Sequence, residues 1–355
     1  MRVRKPGRIR ARGFARCLVA ALSLATLAGS VSEAGADGGG LQRDVVFTDY
    51  SPLSVNSELV RRLWSPLAAA DGEQILSRSG KALSEQSIDL AEEKFTVYVP
   101  SQTPPHGYAL LVFVPPWEDA RLPRGWASVL DHYGVIFVCA ARSGNSEPVY
   151  GRREPLALLA AQNVMHRYTV NPDCIYVGGF SGGSRVAMRL ALAYPDLFRG
   201  ALLNAGSDPI GDPLAPLPRK DLFLRFQTAS RLVYLTGDGD YGHLGMDADS
   251  MQSMRHWCVF DVFGSVSART GHEVADSVAL SRALGALLNP IPRDPNELAA
   301  CRSDIEEELA AKLHEVESLI AKGKRDDAQK ALMETDRRFG GLASPRSSDL
   351  ESTLN

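Results

Sequence analysis

Short apolar runs alternate with longer amphipathic segments through the middle of this 355-residue sequence. An apolar run bounded by turn residues predicts a buried strand, and the segments between the runs have the length and periodicity of helices. Repeated alternation favours an α/β fold with a mostly parallel sheet and helices on both faces. The predicted strands are residues 94–99, 108–114, 134–139, 174–178, 200–204, 231–236 and 258–263, and the predicted helices are residues 124–132, 154–168, 183–194, 221–229, 247–257 and 275–288.

The N-terminus has the pattern of an export signal. Seven basic residues precede position 17, and the apolar run that follows, residues 17–28, is too short to span a bilayer comfortably. Ala34-Gly35-Ala36 then supplies small residues for cleavage. We expect residues 1–36 to be a signal peptide, which predicts a periplasmic or extracellular protein with no integral membrane span after processing.

Composition and charge exclude several classes of function. The 45% hydrophobic and 23% charged residues are close to a soluble globular average, which argues against a disordered or coiled-coil chain. Without residues 1–36, 32 basic and 41 acidic residues remain, a formal charge of −9. An acidic chain without a basic stripe is a poor candidate for binding nucleic acid.

Four cysteines remain in the expected mature chain, an even number that is compatible with disulfides in an oxidising compartment. Cys139 and Cys174 lie within or at the start of strand-like runs, where buried thiols and disulfides are both open. The other two are Cys258 and Cys301.

Prolines and charge patterns divide the chain further. We expect an N-terminal cover segment over residues 37–92, with a helical stretch at 57–70, and a catalytic domain over residues 93–292. Three prolines within residues 289–295 should end the last core helix. Residues 293–341 then predict a helical hairpin, with helices at 296–321 and 326–339, and residues 342–355 predict a flexible tail. The hairpin either packs on its own catalytic domain, which we favour, or binds a protein partner.

The segment Gly179-Phe180-Ser181-Gly182-Gly183 matches the pattern G-x-S-x-G and lies directly between a predicted strand and a predicted helix. At a nucleophile elbow the serine occupies a strained turn that holds its hydroxyl clear of the sheet, and small neighbours let the backbone close. The helix N-terminus behind the serine also favours developing negative charge. These flanking elements favour Ser181 as a nucleophile over an ordinary glycine-rich turn.

A serine hydroxyl needs a base, and an imidazole held by a carboxylate is the usual solution in this architecture. Asp238 and Asp240 follow the predicted strand 231–236, and His272 precedes the last predicted core helix, so the order serine, acid, histidine is present. We expect His272 to be the base and Asp240 the acid. Asp238 is closer to the strand end and is expected to cap the turn.

Several segments around the elbow resemble the polyhydroxybutyrate-depolymerase and feruloyl-esterase branch of the α/β-hydrolase superfamily. They are Asn171-Pro172-Asp173, the elbow through Met188, Ala193-Tyr194-Pro195 and Phe198-Arg199-Gly200-Ala201. The resemblance covers about residues 93–290. It implies an α/β-hydrolase fold and a serine esterase, with Ser181 as nucleophile, His272 as base and Asp240 as acid, and with neither a metal nor an organic cofactor.

One departure from the resembled family affects the expected oxyanion hole. That family commonly has a His-Gly pair after the strand that ends here at Val114, whereas this chain has Pro115-Pro116-Trp117. Proline has no N–H, so the amide of Trp117 is the first available donor in this loop. The amide of Gly182, which follows the nucleophile, is the second expected donor. The Trp117 indole either lines the acyl pocket or fills the core.

The expected activity is hydrolysis of carboxylic esters with short acyl, aryl or oligoester groups. Only 26 residues separate the predicted strands 200–204 and 231–236, which leaves little room for a closing cap and favours an open cleft. Two alternatives remain open at this point. The same triad suits a serine peptidase, and a poor oxyanion hole would suit a catalytically weak binding protein.

Overall fold

The computed structural model of the protein describes residues 39–78, 85, 86 and 88–354. Its strands are β1 (Gly40–Val45), β2 (Phe95–Val99), β3 (Tyr108–Val114), β4 (Val135–Ala140), β5 (Val170–Phe180), β6 (Gly200–Asn204), β7 (Arg231–Gly237) and β8 (Val262–Ser267). They form one sheet in the order β1-β2-β4-β3-β5-β6-β7-β8. The pairs β1–β2 and β2–β4 are antiparallel, so β2 runs opposite to the other strands, and the remaining pairs are parallel. The predicted α/β fold class is confirmed.

Helices cover both faces of this sheet. They are α1 (Asn56–Leu63), α2 (Pro66–Arg78), α3 (Trp126–Tyr133), α4 (Glu154–Arg167), α5 (Gly182–Ala193), α6 (Lys220–Ala229), α7 (Tyr241–His256), α8 (Ser277–Leu287), α9 (Pro295–Ala321), α10 (Arg325–Phe339) and α11 (Arg346–Leu354). Along β3, Leu110 and Val112 join the core under α4 and α5. Leu111 and Phe113 point the other way, into the core under α3 and α8. This alternation explains why the central strands are apolar along their whole length.

The last strand is the clearest correction to the sequence prediction. Residues 258–263 were expected to form it, but β8 begins only at Val262 and ends at Ser267. Cys258 and Val259 are fully buried outside the strand, so their apolar character reflects core packing. The strand itself is a partly exposed edge, with Phe263 37% and Val266 50% exposed, and it therefore lacks the apolar signature of a central strand.

The N-terminal segment also differs from the prediction. The expected single helix at 57–70 is two helices, because the chain is extended at Trp64, just before Pro66 begins α2. The segment that was expected only to cover the domain contributes β1, which pairs antiparallel with β2 at the sheet edge. The expected signal peptide, residues 1–36, lies outside the described residues. The domain boundaries of the sequence analysis stay predictions.

The helices α9 and α10 pack against each other and against the rest of the chain. Leu298 and Ile305 of α9 belong to the core that also contains α5 and α6. A disulfide joins Cys258 to Cys301 of α9, while Cys139 is a buried thiol whose pKa is raised by burial to about 12. Among the described residues, no helix is both long enough and apolar enough to cross a bilayer.

Residues 342–355 were expected to be a flexible tail, but they contain α11 over Arg346–Leu354. Leu350 and Leu354 share one helix face and pack on the small core between α2, α9 and α10. This apolar pair explains why the segment forms a packed helix, because it gives the helix an apolar face to bury.

Candidate active site

The carboxyl ends of the central strands meet at one edge of the sheet, and Ser181 lies at that edge between β5 and α5. Its backbone has φ 56° and ψ −125°, a region that costs a non-glycine residue about 1–3 kcal/mol. The Ser181 amide donates to the carbonyl of Asn204 at 2.8 Å, which holds the turn to the neighbouring strand. A Cβ at Gly183 would lie 1.9 Å from the carbonyl oxygen of Val114, so this tight approach of helix to strand requires glycine.

The three residues predicted to form a triad are hydrogen-bonded in series. His272 Nε2 lies 2.9 Å from Ser181 Oγ, and His272 Nδ1 lies 2.6 Å from Asp240 Oδ2. A carboxylate can only accept, so Nδ1 of His272 carries the proton and Nε2 is left to accept from the serine hydroxyl. The arrangement matches the geometry that makes a serine nucleophilic.

Asp240 is placed by the start of α7, where it is the N-cap residue. Its side chain does not cap the helix, because both carboxylate oxygens are used by histidines, Oδ2 by His272 and Oδ1 by His243. Burial alone would raise the pKa of Asp240, but the hydrogen bonds from His243 and His272 outweigh it and lower this pKa. Asp240 is therefore held as an anion that faces two imidazoles.

Asp238, the alternative acid, has a different position. Its carboxylate accepts from the backbone amides of Arg269 at 2.8 Å and Thr270 at 3.2 Å. These bonds fasten the turn after β7 to the loop that carries His272. Asp238 thus supports the loop and makes no hydrogen bond to His272 in the described structure.

His243 is a residue of the site that the sequence analysis missed. Its ring lies 4.2 Å from the His272 ring, centroid to centroid, and the two planes differ by 16°. Asp240, His243 and His272 are residue types that also ligate metals, and their donor atoms lie within 4.8 Å of one another. The hydrogen bonds already engage the Nδ1 atoms of both histidines with the carboxylate, an arrangement suited to proton transfer.

The backbone amides of Gly182 and Trp117 are the two predicted oxyanion donors, and neither is used by the surrounding backbone that the structure describes. Gly182 is the first residue of α5, so its N–H has no acceptor within the helix. In the loop after β3, the Trp117 N–H makes no protein hydrogen bond within the described part of the chain. The carbonyl of Pro116 accepts from Asn145 at 3.0 Å and that of Pro115 accepts from Arg153 at 3.0 Å. These bonds fix the backbone on the N-terminal side of the Trp117 amide.

The Trp117 indole packs rather than protrudes. It is partly buried against Phe113 and Phe180, with the Arg121 guanidinium 4.3 Å from its ring centroid. Phe180 in turn contacts His272, with ring centroids 4.9 Å apart. Of the two roles left open for this side chain, these contacts favour filling the core.

The predicted site lies at the protein surface, beside a short connection. Only 15 residues, 205–219, connect β6 to α6, and the His272 side chain is 40% exposed. A separate cavity of about 590 Å³ lies between α2 and the C-terminal helices, lined by residues that include Trp64, Tyr150 and Met333. Ser181, Asp240 and His272 do not line that cavity. The predicted site is therefore distinct from that cavity and is reached from the protein surface.

The parallel sheet, its helices on both faces and the strained serine between β5 and α5 define an α/β-hydrolase fold. No protein-family model matches the chain. Part of the chain is similar to the poly(3-hydroxybutyrate) depolymerase of Ralstonia pickettii, with 29% identity over 98 residues. This match covers 24% of the chain and only 20% of the depolymerase.

Solved structures with a similar fold include two bacterial enzymes. S-formylglutathione hydrolase from Staphylococcus aureus is 12% identical, with a TM-score of 0.42, and the match covers 56% of this chain and 93% of that enzyme. Dienelactone hydrolase from Anabaena variabilis is 16% identical, with a TM-score of 0.37, and the match covers 55% and 89% respectively. The fold assignment rests on the sheet and the elbow of the chain itself.

Proposed function

We propose that the protein is a serine hydrolase of carboxylic esters, with Ser181 as nucleophile, His272 as general base and Asp240 as the acid that orients the base. The observation that carries the proposal is an unbroken series of hydrogen bonds. It runs from Ser181, at the N-terminus of α5, through His272 to Asp240. Strain at the serine supports a functional role, since such backbone outliers persist where the surroundings impose them.

In this mechanism the Ser181 hydroxyl attacks the ester carbonyl carbon while His272 Nε2 takes its proton. The C=O π electrons move to the carbonyl oxygen, and the oxyanion is held by the amides of Gly182 and Trp117. The oxyanion then collapses, the bond to the alcohol oxygen breaks, and the imidazolium of His272 gives its proton to the departing alcohol. Asp240 stabilises the imidazolium and remains ionised.

Deacylation repeats the same steps with water. His272 takes a proton from a water molecule that attacks the acyl carbon, and the proton passes to Ser181 Oγ as the acyl–serine bond breaks. The open cleft supplies water directly. It also suits extended acyl or aryl groups, so short esters and soluble oligoesters are the proposed substrates.

The same proposal places the protein outside the cytoplasm. The basic, apolar and small-residue pattern of residues 1–36 is one support. The Cys258–Cys301 disulfide is an independent one, because disulfides persist mainly in oxidising compartments. Mass spectrometry of the N-terminal peptide tests cleavage after Ala36. The peptide from an exported fraction is compared with that of the cytoplasmic precursor.

The decisive experiment is labelling with a fluorophosphonate probe, followed by mass-spectrometric mapping of the modified residue. A label on Ser181 that disappears in Ser181→Ala, together with loss of p-nitrophenyl ester hydrolysis, is the expected result. Ser184, one turn along α5 and fully buried, gives a matched serine-to-alanine control. An unlabelled but folded wild-type protein would favour the binding-protein alternative. Turnover of amides with simple esters left intact would favour a peptidase.

A further inference from the structure

One carboxylate in this site serves two imidazoles. His243 is the third residue of α7, and its Nδ1 lies 2.8 Å from Asp240 Oδ1, while His272 Nδ1 lies 2.6 Å from Oδ2. Because the carboxylate only accepts, both Nδ1 atoms are donors when the rings are neutral. Each oxygen of Asp240 thus accepts from one imidazole. The two hydrogen bonds together prevent the carboxylate from rotating toward another partner.

The His243 ring is also fixed in place from both sides. It stacks on the His272 ring at 4.2 Å, and it lies against the backbone of Gly206 in the loop after β6. A Cβ at Gly206 would lie 2.4 Å from His243 Cδ2, so a larger residue at position 206 would displace the ring from its stacked position. A shift of His243 would therefore release Asp240 and the His272 ring together.

We propose that His243 is a positioning residue of the triad, which holds Asp240 and the His272 ring in line with Ser181, and that a proton on the His243 ring opposes protonation of the stacked His272 ring. This inference rests on the proposed function. During acylation, His272 becomes an imidazolium beside Asp240. A proton already on His243 would put a second positive charge 4.2 Å away, with one carboxylate between two cations. Protonation of His243 therefore opposes proton transfer from Ser181.

Other charges near the pair do not offset this repulsion. Burial raises the pKa of Asp247, on the next turn of α7, to about 6, so this carboxyl loses its charge as the pH falls through that value. Asp238 is engaged by backbone amides, and Asp208 lies 3.5 Å from the Arg185 guanidinium. Glu273, beside His272, is exposed to solvent, which screens its charge.

Two substitutions separate the contribution of the His243 hydrogen bond from that of its ring. His243→Asn places an amide N–H where Nδ1 was, without a ring or a charge, and His243→Phe keeps a ring without a donor. We expect kcat of His243→Phe to fall about 10- to 100-fold with little change in KM, because the triad loses its alignment. His243→Asn should stay close to wild type at pH 8. Exposed His106→Asn is the control histidine substitution.

The pH profile is the readout that packing alone would not change. In wild type, the acid limb of log kcat/KM against pH should steepen from a slope of one to a slope of two, because two protons each oppose catalysis. In His243→Asn the slope should remain one. Equal losses in both His243 variants, or a slope of two that persists in His243→Asn, would overturn the proposal.

A measurement without turnover separates this inference from the proposed function. NMR titration of the His272 imidazole in Ser181→Ala should be biphasic, and it should become monophasic when His243→Asn is added. Ester hydrolysis that survives Ser181→Ala would refute the function while leaving this coupling intact. A monophasic His272 titration in both proteins would refute the coupling.

Discussion

The disulfide between Cys258 and Cys301 should contribute a large share of the stability of the fold. It closes a loop of 43 residues that runs through β8 and α8 to α9. For a loop of this size, the chain-entropy model gives about 13 cal/mol/K, or about 4 kcal/mol at 25 °C. A domain of ordinary stability has only about 5–15 kcal/mol in total. Replacing both cysteines with alanine should therefore move the urea midpoint far below that of the wild type.

The measurement is equilibrium urea unfolding at pH 7 followed by tryptophan fluorescence. Cys139→Ala is the matched control, because it removes a buried sulfur that is not in a disulfide. Cys258 precedes β8 and so lies at the opposite edge of the parallel sheet from Ser181. Ester hydrolysis without urea should therefore be unchanged in the double variant. A loss of unfolding free energy no larger than that of Cys139→Ala would refute the loop-closure argument.

Three further outcomes test other parts of the molecule. Asp240→Asn should lower kcat by about 10⁴-fold, because His272 loses its orienting anion, while Asp238→Asn should be much milder; the reverse order of kcat/KM would identify Asp238 as the acid. Trp117→Pro removes one amide donor and should lower kcat about 100- to 1,000-fold, whereas Trp117→Phe keeps the amide, so equal kinetics for the two would exclude it from the oxyanion hole. Burial raises the pKa of Glu154 from 4.5 to about 7 in the folded protein. The free energy of unfolding should therefore fall by about 3 kcal/mol as pH rises from about 4.5 to 7, and urea titrations of Glu154→Gln should lack most of that fall.

The central elements could be predicted because burial on both faces makes them apolar throughout. The predicted ranges 108–114 and 200–204 coincide with β3 and β6, whose residues are all buried. The elbow could be predicted for a different reason, because its tight turn requires glycine beside the serine. The elbow motif, together with the positions of Asp240 and His272 beside predicted elements in the order serine, acid, histidine, selected three side chains that are hydrogen-bonded in series.

His243 was missed because the start of α7 was missed. Gly242 and Gly245 lower the helix propensity of the first turn, and the predicted helix began only at residue 247. Once Tyr241 is known to begin the helix, the sequence places His243 one turn from Asp240, within reach of its side chain. The stacking on His272 is a contact across 29 residues, and no local pattern encodes it.

The short connection between β6 and α6 has a consequence for the timing of turnover. In many enzymes the opening or closing of a lid over the active site is the rate-limiting step. Residues 205–219 form no separate cap over Ser181, so the proposed catalyst has no such closed state to leave or enter at this position. Turnover should start without a lag at an oil–water interface, and the slowest event should be bond breaking or diffusion of product.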